Sequence, residues 1–395
     1  MHERFKPFFV FIFHADAKIP KLWYTAPMKK TDLFSPTKAQ QKRGREAAAA
    51  LLSWYKKNAR SLVFRGTKDP YRIWLSEIML QQTRTETVEG YYTRFLERFP
   101  NAHALAAATQ EEVLKLWEGL GYYSRARNLH KCAKIISEQG FPSTVEELQK
   151  LPGIGPYTAA AIASIAFDVP VPAIDGNLKR VIARLFYIEE NINAPSVQRK
   201  VTAFGQALMP TENGGTLKPS DSGHINQALM DLGATLCTPG TPDCAACPIQ
   251  KHCLALKEGD PASLPLMDRK NPPKEIDLGV MVVVSQEGVL IHQREERLLK
   301  GMHVFVLAED ITDTKGMKKA LANMGLGIIS HGQVVKAKHI FTHRVWNMRI
   351  VPFICQSTEA PKKYFWAKDL DVLAFPTAMK KAKEIAKEAM ERFLF

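Results

Sequence analysis

Four cysteines, Cys237, Cys244, Cys247 and Cys253, fall within seventeen residues in the pattern C-x6-C-x2-C-x5-C. Thiolates this close can close round one metal centre and make poor partners for spread-out disulfides. Zinc sites usually pair two C-x2-C knuckles, and here there is one. The common ferredoxin spacings are also absent. All-thiolate ligation still suits an iron–sulfur cluster, so a zinc knob and a cluster both remain open on spacing alone. Two carboxylates stand out for another reason. Glu77 sits among Ile73, Trp74, Ile78 and Leu80. A carboxylic acid in apolar surroundings has a raised pKa and can deliver a proton near neutral pH. The competing reading is a glutamate on the solvent side of an amphipathic helix. Asp175 precedes a helical stretch opened by Gly176-Asn177-Leu178-Lys179-Arg180 and is expected at its N-cap. A cap alone would explain it, but a helix dipole also keeps a carboxylate ionised. An ionised aspartate opposite a neutral glutamic acid is what glycosidic cleavage calls for.

The elements that must position these groups read as helices. Lys38–Lys57 has an apolar face in Ala47–Leu52 and Trp54. Asp69-Pro70 starts a helix that runs from Tyr71 to Thr83. Gly119-Leu120-Gly121 is followed at once by Tyr122, Tyr123, Arg125 and Arg127. That suits a loop touching DNA, with an aromatic wedge and phosphate partners; tyrosines packing a helix junction would read the same way. Ser143-Thr144-Val145-Glu146 is expected to open a helix with a capping box. Leu151-Pro152-Gly153-Ile154-Gly155 then joins it to a second helix starting near Pro156-Tyr157-Thr158. Helix, L-P-G-I-G turn and helix form the helix-hairpin-helix signature. Gly153 and Gly155 leave backbone amides bare at a helix start, where they can hold a phosphate.

The cysteine spacing, with Asn226-Gln227-Ala228-Leu229-Met230-Asp231-Leu232-Gly233 before it, resembles the cluster loop of the endonuclease III and MutY family of DNA glycosylases. Trp74-Leu75-Ser76-Glu77-Ile78-Met79-Leu80-Gln81-Gln82-Thr83 resembles the segment that carries the catalytic glutamate of the MutY-type adenine glycosylases. The resemblance runs over about residues 40–395 and is strongest over 60–255. It implies a [4Fe–4S] cluster on the four cysteines and double-stranded DNA as partner. The expected activity is base excision repair: adenine opposite 8-oxoguanine or guanine is flipped out and its N-glycosidic bond hydrolysed. Glu77 would protonate the purine, and Asp175 would stabilise or trap the sugar cation. Asn177 and Tyr157 would orient these groups and the water. Endonuclease III relatives carry a nucleophilic lysine where this chain has Tyr157, and D-T-H where it has Asp175-Gly176-Asn177. Both differences favour the monofunctional, adenine-removing branch. Arg60 and Arg65 match arginines near the adenine pocket, although Ser61, Val63 and Phe64 stand where aspartate, proline and tryptophan are usual. Gln82 with Thr83 beside it, and Tyr122 or Tyr123, resemble residues that wedge into the duplex. Lys179, one turn past Asp175, is within reach of the resulting abasic sugar. Lys251, His252 and Lys257 are expected to contact phosphate.

The chain has 395 residues, 46% of them hydrophobic, and lysine plus arginine exceed aspartate plus glutamate by 54 − 40 = 14. That balance favours a polyanion, nucleic acid first. Cys132 and Cys355 stand alone, which suits a reducing compartment, and no apolar run has transmembrane length. The expectation is a monomer that is cytoplasmic and nucleoid-associated, with no membrane partner. Residues 1–37 read as an irregular extension, with Met28 as an alternative initiator; Phe8–Phe13 faintly resembles a signal peptide. Residues 38–260 read as the helical glycosylase domain, 261–275 as a flexible linker, and 276–395 as a strand-rich domain. The fold class is thus α+β multidomain. Strands are expected at 279–284 and 289–293 about a hairpin turn, then near 333–341 and 345–355. Helices are expected at 315–324 and 377–392. This half resembles the MutT-like (Nudix-fold) domain of MutY-type enzymes. Lys315–Leu326 lacks the glutamates of a working pyrophosphatase. Phe341-Thr342-His343 resembles the F-S-H loop that reads 8-oxoguanine, with Thr342 in place of serine.

Overall fold

A computed structural model describes residues 34–211, 216–268 and 272–394. Of the extension read over residues 1–37, residues 1–33, including Phe8–Phe13, lie outside the described residues.

The helical part comprises α1 (Lys38–Asn58), α2 (Pro70–Leu80), α3 (Thr85–Arg98), α4 (Ala102–Ala107), α5 (Gln110–Leu116), α6 (Ser124–Gln139) and α7 (Val145–Leu148). It continues with α8 (Pro156–Phe167), α9 (Gly176–Phe186), α10 (Pro195–Gln206), α11 (Ser222–Thr235) and α12 (Leu254–Lys257). Local chemistry explains the starts. Thr37 and Gln40 form a reciprocal capping box on α1. Asp69 accepts from the Tyr71 amide, with Pro70 in the first turn of α2. Asp175 accepts from the Leu178 amide at 2.7 Å and caps α9. Apolar side chains gather into two cores. One is built on α2 to α8, the other on α1 and α9 to α11, and Met230 packs against both.

Two expected boundaries move. The helix bearing Glu77 stops at Leu80 and not at Thr83, because Gln82 takes a left-handed φ of 56°. The Arg125 guanidinium collects the carbonyls that the helix leaves open there. The cap before the hairpin is Thr144, not Ser143, and α7 is a single turn. Pro152 disfavours helical backbone at Leu151, which ends it early. In the hairpin, Gly153 has φ +81°, and a Cβ there would lie 2.7 Å from the Asn128 Cβ. Glycine is therefore required at that position.

The strand-rich part contains β1 (Lys274–Ser285), β2 (Gly288–Gln293), β3 (His303–Val304), β4 (Val306–Glu309), α13 (Thr314–Asn323), β5 (Ile328–His331), β6 (Val335–Ile340), β7 (Arg344–Cys355), β8 (Phe365–Ala367) and α14 (Lys380–Leu394). The sheet order is β3-β2-β1-β7-β5, with β4 on β1, β6 on β7 and β8 on β2. β1 and β7 run parallel, and the other pairs are antiparallel. β1 is buried from Leu278 onward, as expected of a central strand covered on both faces. Residues from α14 pack into the core on one face, and Met317 and Leu321 of α13 into that on the other. The hairpin turn is the two residues Gln286-Glu287, since Ser285 pairs with Gly288. The short strands β3, β4, β5 and β8 carried no sequence signal strong enough to register.

The stretch expected as a flexible linker is pinned at its start. Leu264 is buried, and its carbonyl accepts from Arg184 Nε at 3.0 Å; the Leu266 carbonyl accepts from the Ile192 amide at 2.9 Å. The strand-rich part also packs on the helices. Met302 and Ala374 join the α2–α8 core, and Lys115 Nζ donates to the Leu373 carbonyl at 3.0 Å.

Candidate active site

A cavity of about 210 Å³ opens at the seam between the two helical cores. Its lining includes Glu77 from α2, Tyr157 from the first turn of α8, and Asp175 and Asn177 from the start of α9. Arg60, Arg65, Thr83, Gln227 and Met230 are among the other residues of the wall.

Glu77 is 7% exposed, which excludes the solvent-side reading. The Tyr157 hydroxyl donates to Glu77 Oε2 at 2.7 Å. Burial raises the Glu77 pKa to about 7; Asp175 nearby pushes it the same way, while the Tyr157 bond and Arg65 oppose the rise. The Tyr157 hydroxyl is driven well above its ordinary value, chiefly by burial. Asn177 Nδ2 donates to Asp175 Oδ2 at 3.1 Å, and Arg180 Nη2 donates to Asn177 Oδ1 at 2.9 Å. Burial raises the Asp175 pKa as well, against the donors from Leu178 and Asn177 and the charge of Arg180. The helix start therefore only partly protects the charged form that the sequence predicts for Asp175.

Arg60 and Arg65 reach the cavity wall from the loop after α1, held from behind by Asp231, which has no exposed surface. Arg60 Nε lies 2.7 Å from Asp231 Oδ1; Arg65 forks onto both carboxylate oxygens at 2.6 and 2.8 Å. Arg65 also donates to Tyr55 Oη at 3.2 Å, and Tyr55 to Gln227 Oε1 at 2.7 Å. Sequence reasoning missed Asp231, Tyr55 and Gln227 as site residues. The available signal was a lone carboxylate on the apolar helix α11, in Leu229-Met230-Asp231-Leu232. Lys179 is half-buried on α9 and is not among the residues lining the cavity.

The loop residues divide sharply. Tyr122 is 45% exposed with φ 47°, and Gln82 is exposed with φ 56°. Left-handed backbone costs a non-glycine residue roughly 1–2 kcal/mol, so both are held against a preference. Tyr123, by contrast, is buried, its hydroxyl receiving the Gly119 and Thr377 amides at 3.4 and 3.3 Å. It packs a junction and is no wedge. Arg125 is buried against backbone carbonyls, and Arg127 donates to the Lys300 carbonyl, so neither stands open as the phosphate partner expected. Thr83 Oγ1 accepts from Arg125 at 3.1 Å. Gly155 caps α8 without a side chain, and nothing lies within 4 Å of a Cβ built on it.

Thr342 and His343 are exposed between β6 and β7. They line a groove of about 830 Å³ against the helical part, together with Tyr122, Arg127, Arg297 and Arg344. Across it, Tyr122 Oη and Thr342 Oγ1 are 2.6 Å apart. Lys251 and Lys257 are exposed, while His252 is half-buried with its carbonyl taken by Arg43 at 2.7 Å.

Cys237, Cys244, Cys247 and Cys253 are unpaired and line one cavity with buried Arg184, whose Nη1 lies 3.3 Å from Cys237 Sγ. Among the described residues, no three His, Cys, Asp or Glu side chains are grouped as a single metal ion would require. Among the described residues, no helix is long and apolar enough to cross a membrane.

Residues 75–206 match the family model described as HhH-GPD superfamily base excision DNA repair protein, and residues 279–384 match a NUDIX domain. The chain is 32% identical over 351 residues to the adenine DNA glycosylase of Buchnera aphidicola subsp. Schizaphis graminum, covering 85% of this chain and 97% of that one. It is 32% identical over 402 residues to the Arabidopsis thaliana adenine DNA glycosylase, covering 87% of this chain and 62% of that one. It is 42% identical over 218 residues to the human adenine DNA glycosylase, covering 52% of this chain and 38% of that one. The chain thus spans less than two thirds of the plant and human proteins.

Proposed function

Since the chain belongs to the adenine DNA glycosylases of the helix-hairpin-helix superfamily, we propose that it removes adenine paired with 8-oxoguanine or guanine by flipping the base out and hydrolysing its N-glycosidic bond. One observation carries the mechanism. Glu77, with a pKa near 7, accepts from Tyr157 at 2.7 Å in a cavity that Asp175 also lines.

The steps follow from these side chains. The mispair lowers the energy needed to unstack the adenine, which enters the 210 Å³ cavity. Tyr157 occupies Glu77 Oε2, so Oε1 is the oxygen left to hand a proton to a ring nitrogen. The protonated purine leaves as a neutral base, and the sugar takes on oxocarbenium character. Asp175, oriented by Asn177 and the Leu178 amide, supplies the facing negative charge until water adds to the anomeric carbon and the carboxylate left at Glu77 takes up its proton. Arg60 and Arg65, anchored on Asp231, present a fixed wall to the base. No amine stands at Tyr157, and Lys179 lies off the cavity lining, which supports hydrolysis without designed strand cleavage.

The four cysteines are proposed ligands of a [4Fe–4S] cluster. The donor set is all thiol, and the four thiols line one cavity, which fits the four-thiolate ligation of such a cluster. Such a group would fix the 237–253 loop, and no step of the reaction runs through it. The strand-rich domain is the proposed reader of the opposite base, through Thr342 and His343 in the cationic groove.

The test is excision from duplexes carrying adenine opposite 8-oxoguanine, beside thymine-glycol and uracil duplexes, with and without hot alkali. The expected result is release of adenine from the first duplex, with breakage of that strand only after alkali. Stoichiometric nicking without alkali, or preference for the pyrimidine lesions, would contradict the reading.

A further inference from the structure

We propose that Arg125 is a positioning residue that holds the two intruding side chains, Gln82 and Tyr122, as one unit with the helix carrying Glu77. The inference rests on the reading above that the adenine is unstacked from the duplex.

Arg125 sits in the first turn of α6 and is 8% exposed. Its Nη1 lies 2.9, 2.8 and 2.6 Å from the carbonyl oxygens of Ile78, Met79 and Gln81, at the end of α2. Its Nη2 lies 3.1 Å from Thr83 Oγ1, from the Leu120 carbonyl and from the Gly121 carbonyl. Gln81, held by Nη1, and Thr83, held by Nη2, bracket Gln82 on both sides. Gly121, also held by Nη2, is the residue before Tyr122, and the guanidinium lies 5.4 Å from the centre of the Tyr122 ring. Both bracketed residues are exposed and left-handed.

All six acceptors are uncharged, so charge pairing does not explain the arginine. A helix C-terminus carries partial negative charge and accepts a cation, but a lysine would serve that end. What a lysine cannot do is fork: its three donors radiate from one atom, whereas the planar guanidinium spans two separate loops. Each loop presents one exposed side chain, Gln82 or Tyr122. Glu77 lies one residue before Ile78, whose carbonyl Arg125 holds. Movement of either intruding residue is therefore tied mechanically to the acid.

The experiment uses the full chain with Glu77→Gln to block chemistry, and a duplex with 2-aminopurine at the target position opposite 8-oxoguanine. Unstacking raises 2-aminopurine fluorescence, and saturating protein removes affinity from the readout. The Glu77→Gln parent should give a clear rise. Adding Arg125→Lys should cut that rise at least fivefold while anisotropy still reports a saturated complex. Arg125→Met, which deletes every donor, should cut it further. An undiminished rise in either variant overturns the proposal. So does an Arg125→Lys protein that has lost both its thermal transition and duplex binding, because Arg125 would then be a folding residue only. No rise in the parent would instead sink the base-flipping reading on which the inference stands.

Discussion

Removing the Tyr157 hydroxyl should move the pH dependence of excision upward. The wild-type acid must be protonated, and Glu77 has a pKa of about 7. At pH 8 about one molecule in eleven is protonated, so excision should run roughly tenfold below its plateau, and about a hundredfold below at pH 9. The Tyr157 bond to Oε2 favours the ionised carboxylate and opposes the rise. A hydrogen bond to a charged group is worth about 1.5–3 kcal/mol, and one pKa unit is about 1.36 kcal/mol. Tyr157→Phe should therefore lift the alkaline limb by about 1–2 units, to roughly pH 8–9. The plateau itself should drop, because Glu77 loses its orientation. The position of the limb is thus the informative quantity. Single-turnover rates from pH 5 to 10, each normalised to its own plateau, measure it. A limb that stays near pH 7 or moves down in Tyr157→Phe would refute the view that this bond tunes Glu77.

Glu77→Gln should stabilise the fold at alkaline pH. The folded pKa of about 7 lies above the ordinary 4.5, so the stability present below pH 4.5 is lost progressively and is gone above about 7. That loss is on the order of 3 kcal/mol, so the variant should melt higher than wild type at pH 8 and by little at pH 4.5; equal gains at both would contradict it. Purified anoxically, the protein should be brown with about four irons per chain, whereas stoichiometric zinc without visible absorbance would overturn the cluster. Thr342→Val should erode the preference for 8-oxoguanine over guanine opposite the adenine several-fold, since one hydrogen bond is worth about 1 kcal/mol. Discrimination equal to wild type would move the lesion reader elsewhere.

The sequence made the helical scaffold legible because its signals are local. Asp69-Pro70 and the Leu151–Gly155 turn each carry their own capping or turn chemistry. Glu77 was legible as a charge in apolar company, but a place on the solvent side of its helix stayed open until packing showed it buried. What stayed hidden depends on partners far along the chain. Asp231 acquires its meaning only where Arg60 and Arg65, some 170 residues earlier, fold onto it. Arg125 reads as a phosphate contact beside two tyrosines until the end of α2 is packed against it. Which of Tyr122 and Tyr123 faces outward was undecidable from spacing, because Thr377 from the other half buries the second. The pinning of the expected linker at its start was hidden for the same reason: Arg184 and Ile192 supply the bonds that hold Leu264 and Leu266.

The central claim is that Glu77 donates the proton and Asp175 balances the sugar cation. Its most direct test is single-turnover release of free adenine from a duplex with adenine opposite 8-oxoguanine, at saturating protein, for wild type, Glu77→Gln and Asp175→Asn. Both variants should still bind the duplex, and each should release adenine about 10²–10⁴-fold more slowly. Release by either variant within about tenfold of the wild-type rate would contradict it.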